Sequence, residues 1–259
     1  MGRWLVELGF DLERARRVAA LPRRALRATR SVVLEAWRVY RLRYRPVVDV
    51  RGIRLEIGAH TSAAVQAEIL SANYENAERT ILESFLRPDD TVMELGTGLG
   101  FLAIYCAKRV GSERVFTYEA NAELEGPVRR NCALNGVAPR LEICLLGRTA
   151  GAQTFYLERN LWSSSTLRRS PAARAVTVPV RPLNDELRKV KPSFLIIDIE
   201  GGERDLIDYV DLTGVERVVI ELHPHVIGPE PVAEVRSFFT KNGFSIAHAA
   251  ENVTAYARP

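Results

Sequence analysis

Short apolar segments alternate with amphipathic ones from residue 91 onward, and this alternation is the strongest constraint on the fold. Strands that alternate with helices form βαβ units with right-handed crossovers and a parallel sheet. Strands are predicted at 91–95, 114–118, 141–145, 194–198 and 218–222, and helices at 100–109, 122–134, 203–210 and 231–241. Segments 244–248 and 253–257 predict a terminal hairpin. We therefore expect an α/β fold with a seven-stranded, mostly parallel sheet and an antiparallel C-terminal hairpin.

Weaker signals come from the segments outside this alternation. Residues 47–57 alternate around Gly52 and predict a short hairpin, and residues 63–86 predict one helix. Residues 155–157 and 176–180 predict two short extended segments between the third and fourth strands. These segments add to the sheet region without changing its predicted class.

A glycine-rich turn connects the first strand to its helix, with the sequence Glu94-Leu95-Gly96-Thr97-Gly98-Leu99-Gly100. Glycines let the chain turn sharply and let a ligand approach without interference from a Cβ. A dinucleotide fingerprint would require glycine at position 101, where this chain has Phe101. The spacing instead resembles motif I of class I S-adenosylmethionine-dependent methyltransferases. That resemblance implies cofactor contacts from Glu94, Gly96, Thr97, Gly98 and Gly100, although three glycines can also turn a strand into a helix without a ligand.

A second acid, Glu119, follows the next predicted strand, nineteen residues after Gly100. A ribose diol offers two hydrogen-bond donors, and a carboxylate offers only acceptors. Open α/β sheets bind ligands at the carboxyl ends of their strands. We therefore expect Glu119 to bind the cofactor ribose, with Asn121 as a nearby contact.

The most specific resemblance lies at the fourth strand, in Leu195-Ile196-Ile197-Asp198-Ile199-Glu200-Gly201. This segment is similar to the I-D-x-E-G hallmark of the FkbM-type methyltransferases. Further agreement comes from Tyr74-Glu75, Asn131, Asn135, Ser163 to Leu167, Val178 to Val180 and Glu221-Leu222-His223-Pro224. The family often has Lys and Asp where this chain has Ile196 and Asn184. The resemblance implies a Rossmann-like class I methyltransferase fold, S-adenosyl-L-methionine as cofactor, cofactor contacts from Glu75 and Asp198, and O-methylation of a small molecule, sugar or secondary metabolite.

Three titratable residues are candidates for the chemistry of methyl transfer, namely Asp198, Glu200 and His223. Transfer from a sulfonium requires the acceptor atom in line with the methyl carbon and the leaving sulfur. An alcohol acceptor must also lose its proton, and a carboxylate or imidazole within hydrogen-bond reach can accept it. The sequence leaves His223 and Asp198 as equal candidates for this base. Glu200 alternatively holds the loop or the amino group of the cofactor.

A metal site is the alternative use of the same strand ends. Asp198, Glu200, Glu221 and His223 follow neighbouring predicted strands and could converge on Mg²⁺ or Mn²⁺. Carboxylate and imidazole pairs at these spacings also occur as hydrogen-bonded groups without an ion. The sequence therefore favours a site without a metal.

The N-terminal segment differs from the rest of the chain in charge. Residues 1–45 hold twelve Arg, no Lys and four acids, so they carry +8, and residues 46–259 carry −4 within a total of +4. We expect an Arg-rich helical extension over 1–45, with helices at 3–20 and 23–42, and one methyltransferase domain over 46–259. An anionic partner or a membrane surface would suit this arm, although charge runs are often only solvated faces.

Two alternative functions remain open, RNA methylation with the arm binding phosphates and cofactor binding without catalysis. The chain lacks a [DNS]-P-P-[YF] signature after the fourth strand, which disfavours methylation of DNA bases. No apolar run approaches the ~20 residues that span a bilayer. Glu7 and Asp11 interrupt any secretory signal, and the three cysteines are too few for a disulfide framework. We expect a cytoplasmic protein, with peripheral membrane contact and a homo-oligomer left open.

Overall fold

The computed structural model describes residues 47–58, 60–158 and 164–259. The strands are β1 (Val47–Val50), β2 (Ile53–Glu56), β3 (Val92–Leu95), β4 (Val115–Glu119), β5 (Arg140–Ile143), β6 (Leu145–Gly147), β7 (Gly151–Leu157), β8 (Arg174–Pro182), β9 (Phe194–Ile197), β10 (Arg217–Glu221), β11 (Ser245–Ala250) and β12 (Val253–Ala257). The helices are α1 (Ala63–Ser71), α2 (Asn76–Phe85), α3 (Phe101–Val110), α4 (Glu125–Leu134), α5 (Leu183–Val190), α6 (Glu203–Leu206), α7 (Pro224–Ile227) and α8 (Pro229–Lys241).

The central sheet has seven strands in the order β11-β12-β10-β9-β3-β4-β5. Strands β10, β9, β3, β4 and β5 run parallel to one another, and β12 is antiparallel to both β10 and β11. The chain builds outward from β3 to β5 and then returns to add β9 on the other side of β3. A crevice forms at the carboxyl ends of the strands where the order reverses. The predicted α/β fold with an antiparallel C-terminal hairpin is confirmed.

Burial of the central strands explains why the sequence predicts them. All four residues of β3 and of β9 are buried, as expected for parallel strands that are covered on both faces. Helix α8 packs on one face through Val235 and Phe239, which are fully buried, and the Phe239 ring stacks on Tyr256 of β12. The continuous apolar sequence of these strands and the apolar face of α8 therefore predict the core between the sheet and this helix directly.

The first hairpin is attached to the body by two asparagine side chains of the α4 region. The β1–β2 turn carries positive φ at Arg51 (53°) and Gly52 (87°), the geometry of a tight hairpin. Asn131 accepts a hydrogen bond from the Glu56 backbone N–H (2.7 Å) and donates to the Leu99 carbonyl (2.9 Å). Asn131 thus ties the predicted hairpin to the glycine-rich turn, while Asn135 bonds both backbone groups of a β2 residue.

The single helix predicted for 63–86 is wrong, because the structure has two helices, α1 and α2. Ala72 adopts a left-handed conformation (φ 59°) at the end of α1, and Glu75 adopts another (φ 47°) directly before α2. Tyr74 and Glu75 therefore lie in a break between helices. The ring of Tyr74 packs edge-on against Phe101 at 5.8 Å, and this tertiary contact lies outside what local periodicity can predict.

A separate three-stranded sheet lies where the sequence predicted only short extended segments. Its order is β6-β8-β7, and the β7–β8 pairing runs from Gly151 opposite Val180 to Leu157 opposite Arg174. The first four residues of β7 are exposed, so apolar alternation is weak and the strand is longer than predicted.

The helix predicted for 203–210 is shorter in the structure, where it ends at Leu206.

The Arg-rich extension predicted over 1–45 lies outside the described ranges, as does Ser163 of the Ser163 to Leu167 segment that the family resemblance includes. The extension therefore stays a prediction from the sequence. Within the described ranges, no helix is both long enough and apolar enough to cross a membrane.

Candidate active site

A cavity of about 410 Å³ lies at the carboxyl ends of β3, β4 and β9. This volume falls within the roughly 300–1,000 Å³ of small-molecule sites. Predicted site residues on its wall are Glu75, Gly96, Gly98, Glu119, Asp198 and Glu200. The separate sheet with its connecting loops and the segment after β9 complete the wall with Arg148, Gln153, Phe155, Ser164, Thr166, Asp205 and Tyr209.

The glycine-rich turn is forced by contact between neighbouring strands. Gly96 has φ 90°, and a Cβ at this position would lie 1.8 Å from the carbonyl oxygen of Asp198. The backbone is fixed there, because the Asp198 N–H donates to the Leu95 carbonyl at 2.9 Å. Gly98 also has a positive φ (55°) and contributes directly to the cavity wall. Only glycine fits at position 96, whether or not a ligand is bound.

Glu119 supports this turn from the end of β4. Its Oε2 accepts a hydrogen bond from the Gly98 N–H at 3.0 Å, and its Oε1 accepts one from the Asn121 N–H at 2.8 Å. Burial raises the pKa of Glu119, and the backbone N–H groups of Asn121 and Gly98 oppose that rise. Each carboxylate oxygen keeps acceptor capacity toward the cavity. The chemistry of Glu119 thus fits a diol, whereas Asn121 is buried behind the wall and caps the next helical turn.

Four carboxylates surround the buried imidazole of His223. Its Nε2 lies 3.4 Å from Glu200 Oε2, 3.7 Å from Asp198 Oδ1 and 3.9 Å from Glu221 Oε1. Its Nδ1 lies 2.8 Å from Glu203 Oε1. The strand ends that the sequence predicted to converge therefore do meet, together with Glu203, which the sequence analysis did not single out.

The charges of this cluster control its protonation. Burial lowers the pKa of His223, but its interactions with Glu200 and Glu203 and the charge of Asp198 outweigh burial and raise that pKa to about 11. Burial raises the pKa of Asp198 well above its usual value, and the charges of Glu221 and Glu200 raise it further. An imidazolium has no free nitrogen to accept a proton, so in this arrangement Asp198 is the better proton acceptor.

A match to a known protein family covers most of the residues of this site. Residues 94–246 match the sequence profile of the family described as the methyltransferase FkbM domain. The chain belongs to the FkbM methyltransferase family. The match includes the glycine-rich turn, Glu119 and the Asp198–Glu200 segment, and it covers more than half of the chain. An FkbM methyltransferase uses S-adenosylmethionine as methyl donor, so the chain is a methyltransferase dependent on this cofactor.

Several solved structures resemble this FkbM methyltransferase at low sequence identity. A methyltransferase from Pyrococcus furiosus has 13% identity and a TM-score of 0.46, over 86% of this chain and 97% of that chain. The ribosomal protein L11 methylase from Lactobacillus delbrueckii subsp. bulgaricus has 18% identity and a TM-score of 0.43, over 83% and 97%. TYW2 from M. jannaschii has 14% identity and a TM-score of 0.42, over 82% and 86%. No curated protein sequence matches the chain.

The cavity of this FkbM methyltransferase fits S-adenosylmethionine chemically. Glu119 offers acceptors for a ribose diol, and Gly98 leaves the wall free of a Cβ. Glu75 adds a carboxylate near Gly98, since its Oε1 lies 3.7 Å from where a Gly98 Cβ would be. These acidic groups suit a cofactor that carries a sulfonium and an ammonium group.

Two glutamates on the cavity wall have an uncommon backbone conformation. Glu75 (φ 47°) and Glu200 (φ 53°) are both left-handed, which costs free energy for residues other than glycine. Arg169 holds Glu200, because Nη1 lies 2.9 Å from Oε2 and Nη2 donates to the Glu200 carbonyl. Such strain concentrates at functional sites. Nothing in the spacing of Arg169 and Glu200 along the chain signals this contact, so the sequence did not predict it.

Besides Asn121, three further predicted cofactor contacts lie behind the cavity wall, namely Glu94, Thr97 and Gly100. The Thr117 hydroxyl donates to Glu94 and also bonds the Thr97 hydroxyl, which joins β3, β4 and the turn. Burial raises the pKa of Glu94 to about 8, against the opposing hydrogen bond from Thr117. In this structure the leading acid of the motif supports the turn from inside the sheet.

Glu94→Gln tests this buried carboxyl through stability. The folded protein keeps the Glu94 proton up to about pH 8, whereas the unfolded chain loses it near the ordinary value of 4.5. Between these values the unfolded state binds fewer protons, so wild-type stability falls as pH rises. We expect Glu94→Gln to be more stable than wild type by about 1–3 kcal/mol at pH 8, with no such gain at pH 4. Urea unfolding at both pH values measures the difference, and Glu123→Gln, an exposed site, is the control. Equal stability of Glu94→Gln and wild type at pH 8 would contradict the interpretation.

Glu119→Ala tests the cofactor contact. Loss of the carboxylate removes a charged acceptor and leaves the Gly98 N–H unpaired. We expect binding of S-adenosylmethionine to weaken by about 1–3 kcal/mol. Calorimetric titration of wild type, Glu119→Ala and the exposed control Glu123→Ala measures this effect. Unchanged affinity in Glu119→Ala would remove this residue from the cofactor site.

Proposed function

We propose that this FkbM methyltransferase methylates a hydroxyl group of a small molecule, a sugar or another secondary metabolite. The supporting observation is that Asp198 and Glu119 line one cavity, so a proton acceptor and a cofactor-binding group face the same space. The segment after β9 is Asp198-Ile199-Glu200-Gly201, in the position where N-methyltransferases carry [DNS]-P-P-[YF]. Both observations favour an oxygen acceptor.

The proposed reaction assigns distinct tasks to the residues of the cavity. Bound in the cavity, S-adenosylmethionine supplies a methyl group on a sulfonium. Asp198 accepts the proton of the acceptor hydroxyl while the new O–C bond forms and the C–S bond breaks. The raised pKa of Asp198 makes it a stronger base than an ordinary aspartate. The His223 imidazolium attracts Asp198, since Nε2 lies 3.7 Å from Oδ1, and the same nitrogen lies 3.4 Å from Glu200 Oε2.

The acceptor end of the cavity supports a polyhydroxylated substrate. Arg148, Gln153, Ser164 and Thr166 offer hydrogen-bonding groups on the wall. The Arg148 guanidinium stacks over the Tyr209 ring at 5.1 Å, which gives this end a flat surface. Small-molecule sites commonly combine such a surface with a few polar groups that orient the ligand.

An experiment with ¹³C-methyl-labelled S-adenosylmethionine tests the acceptor class. The purified full chain is incubated with separate small-molecule, glycan and RNA fractions of a cell extract. We expect label in the small-molecule or glycan fraction, with a methyl carbon shift typical of an ether. An N-methyl shift, or label that disappears with ribonuclease, would overturn the proposal and support the RNA alternative with residues 1–45 as the phosphate-binding arm. Cofactor binding without any methylated product would support the non-catalytic alternative.

A further inference from the structure

We propose that Asp198, Glu200 and His223 form a binding site for a divalent transition-metal ion at the edge of the cavity. One ligand atom of each residue lies within 4.8 Å of the others. The position of the ion beside the acceptor rests on the proposed function, but the binding of the ion does not. The sequence alone favours a metal-free site, and the tertiary geometry reverses that preference.

The distances at Nε2 of His223 suit ligands of a common ion. Nε2 lies 3.4 Å from Glu200 Oε2 and 3.7 Å from Asp198 Oδ1. Both separations exceed the range of a strong N–H···O hydrogen bond. Adjacent ligands about 2.0–2.2 Å from one ion are separated by about 2.8–3.6 Å in octahedral or tetrahedral geometry. The two distances to His223 are therefore close to the separations of ligands on one ion, and the Asp198 and Glu200 oxygens lie within 4.8 Å of each other.

The orientation of the imidazole is fixed by a buried carboxylate. Glu203 is fully buried, and its Oε1 lies 2.8 Å from His223 Nδ1. The Gly201 N–H donates to the same oxygen at 3.0 Å, which fixes Glu203 in turn. Histidine ligands of metals almost always donate their second ring N–H to such a partner. With Nδ1 donating to Glu203, Nε2 is the nitrogen that faces Asp198 and Glu200, and an ion there would take the place of its proton.

Asp198 provides an independent observation, because one of its oxygens lacks a partner. Its Oδ1 is buried and makes no hydrogen bond, yet it faces the His223 ring at 3.7 Å. A buried polar atom without a partner costs free energy, and an ion would remove that cost. The side chain is 31% exposed, so its other atoms reach the cavity. Asp198 can thus bind an ion through Oδ1 and face the acceptor through Oδ2.

Charge and donor chemistry identify the class of ion. Arg169 is the basic side chain paired with Glu200, whereas Asp198, Glu203 and Glu221 add further acid around His223. This excess of negative charge favours a divalent cation over a single proton on Nε2. A mixed set of two carboxylates and one imidazole suits Mn²⁺, Fe²⁺ or Zn²⁺ better than the all-oxygen sites of Mg²⁺ or Ca²⁺. Such an ion would hold the acceptor oxygen and lower its pKa.

The test uses the full chain after treatment with EDTA and removal of the chelator. Mn²⁺ is titrated into the protein, and free Mn²⁺ is followed by electron paramagnetic resonance. We expect one ion per chain, displaced by Zn²⁺. Glu203→Gln keeps the oxygen toward His223 but loses the charge, and we expect roughly 10–100-fold weaker binding. Asp198→Asn should weaken binding at least as much, whereas Asp205→Asn, a cavity acid outside the cluster, should leave it unchanged.

Two outcomes would overturn the metal site. One is failure of the wild-type chain to bind Mn²⁺ or Zn²⁺ in stoichiometric amount, and the other is an equal loss of binding in Asp205→Asn. Circular dichroism and calorimetric binding of S-adenosylmethionine identify any variant that fails to fold. Metal binding without transfer to a hydroxyl would retain the site and overturn the proposed function. Hydroxyl methylation by a chain that binds no ion would retain the proposed function and overturn the metal site.

Discussion

Gly96→Ala is expected to abolish binding of S-adenosylmethionine and to destabilise the fold by about 2–5 kcal/mol. The new Cβ would lie 1.8 Å from the carbonyl oxygen of Asp198, so β3 and β9 must separate at this point. The backbone is also left-handed there (φ 90°), which disfavours alanine independently. Separation of these strands would displace Asp198 and the glycine-rich turn together, and both line the cavity.

Gly214→Ala is the matched control for this effect. Gly214 has a similar φ (84°), but a Cβ there would meet no atom within 4 Å. We expect a loss of about 1–2 kcal/mol from backbone strain alone and normal cofactor binding. Urea unfolding and calorimetric titration of both variants separate strain from collision. Equal effects of the two substitutions would contradict the role given to the contact between strands.

Asp198→Asn is expected to lower kcat by about 10²–10⁴-fold and to leave the fold intact. Asparagine has the same shape, and Oδ1 of Asp198 makes no hydrogen bond that the substitution would break. The amide cannot accept the proton of the acceptor hydroxyl. Single-turnover rates with labelled cofactor measure the chemical step, and calorimetry measures cofactor affinity separately. A full rate in Asp198→Asn would remove this residue from the proton transfer.

The pH profile gives a second readout of the same residue. Burial and the charges of Glu221 and Glu200 raise the pKa of Asp198 well above its ordinary value. The base must be ionised to act, so the wild-type rate should fall as pH decreases through this raised pKa. We expect Asp205→Asn, which changes another cavity carboxyl, to keep the wild-type profile. An unchanged profile in Asp198→Asn would contradict the assignment.

The α/β class was predictable because its strongest elements are encoded locally. The apolar runs of β9 and β10 are buried on both faces, so the side-chain pattern follows directly from the fold. The Arg51-Gly52 turn and the glycine-rich turn are equally local, since each needs backbone conformations that glycine adopts. Strand ends of a parallel sheet also meet at one edge, which brought Asp198 and His223 together as predicted.

The second sheet and the helix break were not predictable in the same way. The exposed start of β7 lacks an apolar face, and its pairing with β8 joins segments separated by a loop. Glu75 adopts a left-handed conformation although it is not glycine, so its position depends on packing around Tyr74 rather than on its own preference.

Local sequence by itself determined the strands of the central sheet, the glycine-rich turn, and the family to which the chain belongs. Each depends on residue types at short spacings, and the backbone preferences of those residues act over a few positions. Only the tertiary structure decided which carboxylates face the cavity, that Glu203 holds His223, and that Arg169 holds Glu200. Distances of 3–4 Å between side chains from different strands depend on packing, and packing fixes the charge of His223 and the proton affinity of Asp198.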